Sequence, residues 1–285
     1  MSLFEDAPVS DNNPSQYLTV SDRVTLHYTD HPAQSDQCGV VVFVHGSGPG
    51  ASGWSNFKHN VAAFQSAGYR CIVFDQPGYG LSSKPTDIDH TLDFFVAQLN
   101  ALIEYIHVDQ VTLVGNSLGG AVALGMALQY PHRVHKLVLM APGGIEERVT
   151  YFQCEGIQEM VKYPMGSPEF TKTVLADLLT LLVYDSKHVT QSLIDERWEI
   201  LQIQNPHVLA SMSIPNLTDQ LHRITHPISV FWGTNDKFCP ASGTQTLLDH
   251  CPNVRAQVLN KCGHWVMIEY ADYFNRMCLD FLSER

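Results

Sequence analysis

A chain of 285 residues with a hydrophobic fraction of 45% is long enough for one large domain, or for a core carrying an inserted subdomain, and its composition is globular rather than disordered or fibrous. Its formal net charge of −12 weighs against a nucleic-acid backbone as partner, because such binding rests on clustered Lys and Arg. The seven cysteines (38, 71, 154, 239, 251, 262 and 278) are odd in number, widely spaced and free of C-x-x-C pairs, which argues against a disulfide framework or a zinc knuckle and for a reducing cytosol.

The opening "MSLFEDAPVSDNNPSQ" carries acids and prolines where a secretory signal needs basic residues followed by an apolar run, and reads as a loose arm. "YLTV" and "VTLHYT" lie close enough in the chain to form an antiparallel hairpin. "VVVFV" then runs into the glycine-rich "HGSGPGASGW", ending at Trp54. Two readings of that loop compete. Gly46, Gly48 and Ala51 fit the dinucleotide pattern G-x-G-x-x-G/A, with Asp75 at the end of the next strand-like run "RCIVFD" as a ribose ligand; alternatively the loop cradles the oxyanion of an acyl-transfer site. Next, "VTLVGNSLGGAVALGMAL" is apolar but interrupted by Gly115, Asn116, Ser117, Gly119 and Gly120, so it reads as strand, turn and helix rather than as a membrane span. "KLVLM", "ISVFW" and "AQVLN" complete a series of continuously apolar runs, the mark of a mainly parallel sheet covered on both faces. Between about residues 144 and 226 the strand signals stop. There "FTKTVLADLLTLLVYD" and "SLIDERWEILQIQ" have helical periodicity. This is a helical insertion, placed to cap the C-terminal edge of the sheet, with Met160, Met165, Phe170 and Leu179 as candidate pocket residues or as ordinary packing.

Gly115-Asn116-Ser117-Leu118-Gly119 is G-x-S-x-G after a buried strand and before a helix, the setting of a nucleophile elbow. A serine hydroxyl attacks only when a base takes its proton and an acid orients that base. In the chain order Ser, acid, His, Asp236 follows one predicted strand and His264 follows the next. Asn235 lacks the charge to steady an imidazolium, and Glu269 falls in the following helix. The glycine loop then reads as half of an oxyanion hole, its backbone N–H joining that of Leu118, and Asp75 becomes structural. His132 and His135 have no completing carboxylate or thiolate nearby, so no metal site is expected.

At these residues the chain resembles the α/β-hydrolases, and "HGSGPGASGWSNF", "DQPGYGLS", "GNSLGGAVAL", "ERWE" and "NKCGHWVMIEYADYFN" narrow the resemblance to the meta-cleavage product hydrolases, carbon-carbon bond hydrolases of bacterial aromatic catabolism. The likeness runs from about residue 17 to the C-terminus. It implies an α/β fold with a mostly parallel, about eight-stranded sheet, a core of residues 1–145 and 226–285, and a helical lid over 146–225. It further implies cleavage of the C5–C6 bond of a 2-hydroxy-6-oxohexa-2,4-dienoate after ketonisation of the dienol. Ser117 is then the nucleophile, His264 the acid/base and Asp236 its partner. The N–H groups of Ser47 and Leu118 would hold the oxyanion, with Gly48 the alternative. Arg197 would take the dienoate carboxylate, a task suited to a planar fork, and Asn56, Asn116 and Trp265 would line that half of the pocket. By residue type alone Arg197 reads as a surface partner of Glu196 or Glu199, and Trp265 as simple packing. Ala121 stands where members acting on carboxyalkyl substrates carry a histidine, which points to an alkyl or aryl group at C6. No organic cofactor or metal is expected, nor a nucleic-acid or membrane partner; a cytoplasmic homo-oligomer is. A carboxylesterase or thioesterase using the same triad, or a receptor that keeps the pocket only for binding, are the rival readings.

Overall fold

The computed structural model describes residues 15–284; most of the expected N-terminal arm lies outside them. Eight strands, β1 (Gln16–Thr19), β2 (Thr25–His31), β3 (Gly39–Val44), β4 (Tyr69–Phe74), β5 (Val111–Asn116), β6 (Val134–Met140), β7 (Ile228–Gly233) and β8 (Val254–Leu259), form one sheet in the order β1-β2-β4-β3-β5-β6-β7-β8. β1 and β2 are the expected hairpin and β2 meets β4 antiparallel; the pairings from β4 through β8 are parallel.

The continuous apolar runs are explained by cover on both faces. Along β3, Val40, Val42 and Val44 enter one core cluster while Val41 and Phe43 enter the other, the period of two that a pleated strand imposes. The first cluster takes in α3 (Leu92–Tyr105), α4 (Leu118–Gln129) and α10 (Gly243–His250); the second takes in α1 (Gly53–Phe57), α2 (Val61–Ser66), α11 (Val266–Glu269) and α12 (Ala271–Ser283). Lys136, buried at the start of β6, donates to the carbonyls of Phe281 and Leu282 at 3.0 and 3.2 Å, so its charge neutralises the orphan carbonyls that end α12.

Between β6 and β7 the chain is helical, as the sequence pattern predicts: α5 (Arg148–Gln153), α6 (Glu155–Lys162), α7 (Lys172–Leu181), α8 (Gln191–Ile203) and α9 (His207–Ser211). Thr171 and Thr190 cap α7 and α8 by accepting the N–H groups of Val174 and Leu193 at 3.3 and 3.2 Å, local signals that start these helices where they do. Leu175, Leu178 and Leu179 form the buried face of α7. Among the described residues no helix is long and apolar enough to cross a membrane.

Candidate active site

The turn from β5 into α4 places Ser117 at φ 56°, ψ −117°, a strained backbone for a residue with a side chain. Its neighbours must be small because three elements converge there. A Cβ at Gly119 would stand 1.9 Å from the carbonyl oxygen of Val44, and one at Gly115 would stand 2.5 Å from that of Gly119. The turn is held from both sides, since Ser117 N–H donates to Met140 O at 3.0 Å and Gly143 N–H to Ser117 O at 2.9 Å.

Asp236 and His264 follow β7 and β8, and the structure pairs them. His264 Nδ1 donates to Asp236 Oδ2 at 2.7 Å, while Asp236 Oδ1 accepts the N–H groups of Phe238 and Cys239 at 2.8 and 2.9 Å. With Nδ1 protonated, Nε2 keeps its lone pair as a base. His264 N–H also donates to Leu182 O at 2.8 Å, which joins the end of α7 to this loop. Glu269 reinforces that join, accepting from Gly263 N–H at 2.6 Å and from Tyr184 N–H at 2.8 Å. Sequence reasoning had set Glu269 aside; only its backbone partners reveal the role.

The glycine loop lies against Ser117: a Cβ at Gly46 would be 3.1 Å from Ser117 Cβ and 3.0 Å from Asn116 Oδ1. Among the described residues the N–H groups of Ser47, Gly48 and Leu118 have no acceptor, so donors are left open around Ser117. At the foot of the loop, buried His45 donates from Nδ1 to Gly46 O at 2.7 Å and accepts Gln76 N–H at Nε2, 3.0 Å away. Burial pushes its pKa down to about 4, so the ring stays neutral in that role. Gln204, another residue the sequence did not single out, clamps the loop from beyond α8 by accepting Gly50 N–H at 2.6 Å. The dinucleotide reading fails here. Asp75 is buried and spent on the Gly53 and Leu81 N–H groups and on His27, at 2.7, 2.8 and 2.8 Å, leaving it nothing to offer a ribose.

Arg197 is buried, not a surface ion-pair partner as its residue type alone suggested. Nη1 donates to Pro49 O at 3.3 Å, Nη2 to Asn56 Oδ1 at 2.9 Å, and the guanidinium lies 4.9 Å over the Trp265 ring. Nε, also buried, has no partner among the described residues, and Glu196 pairs instead with Lys58. Burial pushes the Arg197 pKa down to about 10. A planar cation with an unfilled donor and no carboxylate is set to receive an anion. Asn56 Nδ2 in turn donates to Asn116 Oδ1 at 3.4 Å, and Asn116 Nδ2 donates to Met140 O at 3.2 Å. Asn56 and Asn116 therefore form a buried chain running from the cation to the elbow, with Trp265 against the face of the guanidinium.

Arg197 shares a cavity of about 20 Å³ with Ser47, Gly48, Pro49, Met160, Phe238 and the leucines 175, 178, 179 and 182. Of the apolar residues expected there, Met160 and Leu179 line it, whereas Met165 and Phe170 pack into the core. No group of three or more His, Cys, Asp and Glu side chains among the described residues is gathered to hold a metal.

Residues 39–271 match the model of the alpha/beta hydrolase fold family. The chain is 36% identical to the 2-hydroxy-6-oxononadienedioate/2-hydroxy-6-oxononatrienedioate hydrolase of Paraburkholderia phymatum over 95% of its own length and 96% of the relative's. It is 32% identical to the 2-hydroxy-6-oxo-6-phenylhexa-2,4-dienoate hydrolase of Burkholderia cepacia, with 96% and 98% covered. Among solved structures, a mutant of the meta-cleavage product hydrolase from Pseudomonas fluorescens, complexed with acetates, superposes with a TM-score of 0.78 at 26% identity, covering 90% of this chain and 94% of that one.

Proposed function

Since the chain belongs to the α/β-hydrolase fold family, and within it to the meta-cleavage product hydrolases that cut a carbon-carbon bond of 2-hydroxy-6-oxo-dienoates, we propose that Ser117, His264 and Asp236 break its C5–C6 bond. The observation that carries this reading is the buried, under-satisfied Arg197 in one cavity with the Ser47-Gly48 loop: an enzyme for neutral esters has no use for a desolvated guanidinium there.

Arg197 binds the C1 carboxylate through its planar fork, with Asn56 and Trp265 fixing the guanidinium. The dienol ketonises, moving a proton to C5. His264 Nε2 takes the Ser117 proton as Oγ attacks the C6 carbonyl, and the N–H groups of Ser47 and Leu118, with Gly48 beside them, hold the resulting oxyanion. When C5–C6 breaks, the electron pair passes along the chain to the C2 carbonyl oxygen, and the proton on His264 goes to the departing dienolate. Water, deprotonated by His264, then releases the acyl group from Ser117. The sum is substrate plus water giving 2-hydroxypenta-2,4-dienoate and a carboxylic acid, with no step that calls on a metal or organic cofactor. The helical segment over 146–225 acts as the lid. The same reading carries a cytoplasmic location, in keeping with seven free cysteines, and a homo-oligomeric assembly that sedimentation would check.

The test is turnover of C6-phenyl and C6-methyl dienoates, followed by loss of their visible absorbance, beside a p-nitrophenyl ester. Ser117→Ala is expected to lower kcat on the dienoates by roughly 10⁵-fold or more while leaving dienoate binding nearly intact. Near-full activity in that variant removes Ser117 from the chemistry. If the wild type cleaves the ester and neither dienoate, the enzyme is an esterase and the role given to Arg197 is wrong.

A further inference from the structure

Within the glycine loop, Gly48, Pro49, Gly50 and Ala51 make a tight turn. Ala51 N–H donates to Gly48 O at 3.2 Å and Gly50 sits at φ 67°, which with proline ahead of it is the form of a type II turn. Types II and I differ by a flip of the central peptide, here the unit that joins Pro49 to Gly50. Proline suits the second position of both types, and glycine accepts either sign of φ after it, so the residues of the turn do not choose between them. The choice falls to α8.

Arg197 and Gln204 stand about two helical turns apart and hold that one peptide unit by its two ends. Arg197 Nη1 donates to Pro49 O at 3.3 Å, and Gly50 N–H donates to Gln204 Oε1 at 2.6 Å. Gln204 Nε2 also donates to Gly48 O at 3.4 Å. α8 lies so close that a Cβ on Gly50 would be 2.0 Å from Arg197 O. Before and after the turn the loop has other supports, His45 on Gly46 O and Asp75 on Gly53 N–H. Among the described residues no side chain besides Arg197 and Gln204 hydrogen-bonds to the backbone of residues 47–50.

The two holds differ in what the reaction asks of them. The guanidinium is the group that receives the substrate carboxylate, and any rotation toward that ligand draws Nη1 away from Pro49 O. Gln204 is a buried neutral amide with both of its ends engaged by the turn. We propose that Gln204 is a positioning residue for the oxyanion hole: by fixing the Pro49–Gly50 peptide and the Gly48 carbonyl, it keeps the N–H groups of Ser47 and Gly48 aimed at the oxygen that becomes charged, whether or not Arg197 is occupied. This rests on the roles given above to Ser117 and the glycine loop, and not on which bond is cleaved.

The experiment sets Gln204→Met, which fills similar space without the amide, beside Gln204→Glu, which keeps an acceptor for Gly50 N–H, on a C6-phenyl dienoate and a p-nitrophenyl ester. Gln204→Met is expected to lower kcat about tenfold or more on both substrates, a part of the roughly 10²–10³-fold that follows loss of a whole oxyanion donor. KM should change by less than about twofold, because the donors act on charge present only in the transition state. Gln204→Glu should recover ester kcat to within about threefold of wild type, since the bond to Gly50 survives. Phenylboronic acid, whose boron bonds to Ser117 Oγ as the serine proton passes to His264, puts an oxygen in the hole and should bind Gln204→Met more weakly by the factor that kcat falls. Gln204→Ala, a second variant without the amide, should show the same losses, and urea unfolding corrects every rate for the folded fraction. Wild-type kcat and boronate affinity in the folded methionine and alanine variants overturn the proposal. So does a loss seen only as a raised KM on the dienoate, which would mean that Gln204 acts through Arg197, or a glutamate variant as slow on the ester as the methionine one. If wild type cleaves the ester and neither dienoate, the carbon-carbon reading falls while the ester and boronate results still decide the role of Gln204. If Ser117→Ala keeps its ester turnover, the nucleophile falls and this inference with it.

Discussion

Asp75 and Arg197 are both buried charges, and they are treated oppositely. Burial works to raise the Asp75 pKa, yet the hydrogen bond and charge of His27, the field of His45 and the Leu81 N–H together hold the carboxylate well below its usual range. Its oxygens are satisfied by the short loops that follow β3 and β4. Arg197 is at least as deeply buried but meets only a carbonyl, an amide oxygen and an indole face, and keeps a buried Nε–H without a partner among the described residues. A desolvated charge costs several kcal/mol unless neighbours compensate it. Where compensation is complete, the charge organises the fold; where it is left incomplete beside a cavity, we propose that the missing partner is the ligand.

That contrast can be broken at either end. The largest effect is expected at the open charge: Arg197→Ala should lower kcat/KM on a C6-phenyl dienoate by about 10²–10³-fold, since losing one partner of a buried charged pair costs roughly 2–5 kcal/mol. The loss on a p-nitrophenyl ester should be far smaller, and equal losses on both would count against the carboxylate role. At the closed charge, Asp75→Asn should cost about 3 kcal/mol or more in urea unfolding, with the fraction that remains folded still turning over substrate; a purely catalytic loss at full stability would show that Asp75 belongs to the chemistry.

A third prediction concerns His45, which lies under the glycine loop in the field of both charges. Its folded pKa is depressed from 6.5 to about 4, so the unfolded chain binds the extra proton between those values. Its contribution to stability is therefore complete above pH 6.5 and shrinks as pH falls toward 4, by about 2 kcal/mol between pH 8 and pH 5. Urea midpoints of wild type and His45→Gln should diverge most at pH 8 and converge at pH 5; a constant gap would mean the ring is not held neutral. The smallest effect sharpens the comparison: Arg197→Met, inactive on dienoates, should raise the stability of the ligand-free protein by about 1 kcal/mol, because a buried charge that lacks its partner burdens the fold. A destabilised Arg197→Met protein would show that Pro49, Asn56 and Trp265 already compensate the cation.

Much of the molecule was legible before any coordinates. Unbroken apolar runs such as "VVVFV" and "ISVFW" mark strands covered on both faces, the helical spacing of α7 and α8 marks the insertion, and G-N-S-L-G marks the elbow. The chain order of Ser117, Asp236 and His264 then followed, because each sits just past a strand end. These features are local: a strand's burial shows in its composition, and a turn that excludes Cβ atoms shows in its glycines.

The tertiary structure decided what depends on partners far along the chain. Arg197 next to Glu196 and Glu199 looks like a surface residue until the chain closes and sets it against Pro49, Asn56 and Trp265. Gln204 and Glu269 give no signal of their own, because Gln204 acts on the backbone N–H of Gly50 and Glu269 ties the nearby Gly263 to Tyr184, and both Gly50 and Tyr184 lie far off in the chain. Met165 and Phe170 share the apolar character of Met160 and Leu179 but pack into the core, whereas Met160 and Leu179 line the cavity beside Arg197. Hydrophobic pattern and turn chemistry are written residue by residue and survive in the sequence alone. Whether a charge is left unpaired is set by the whole fold around it.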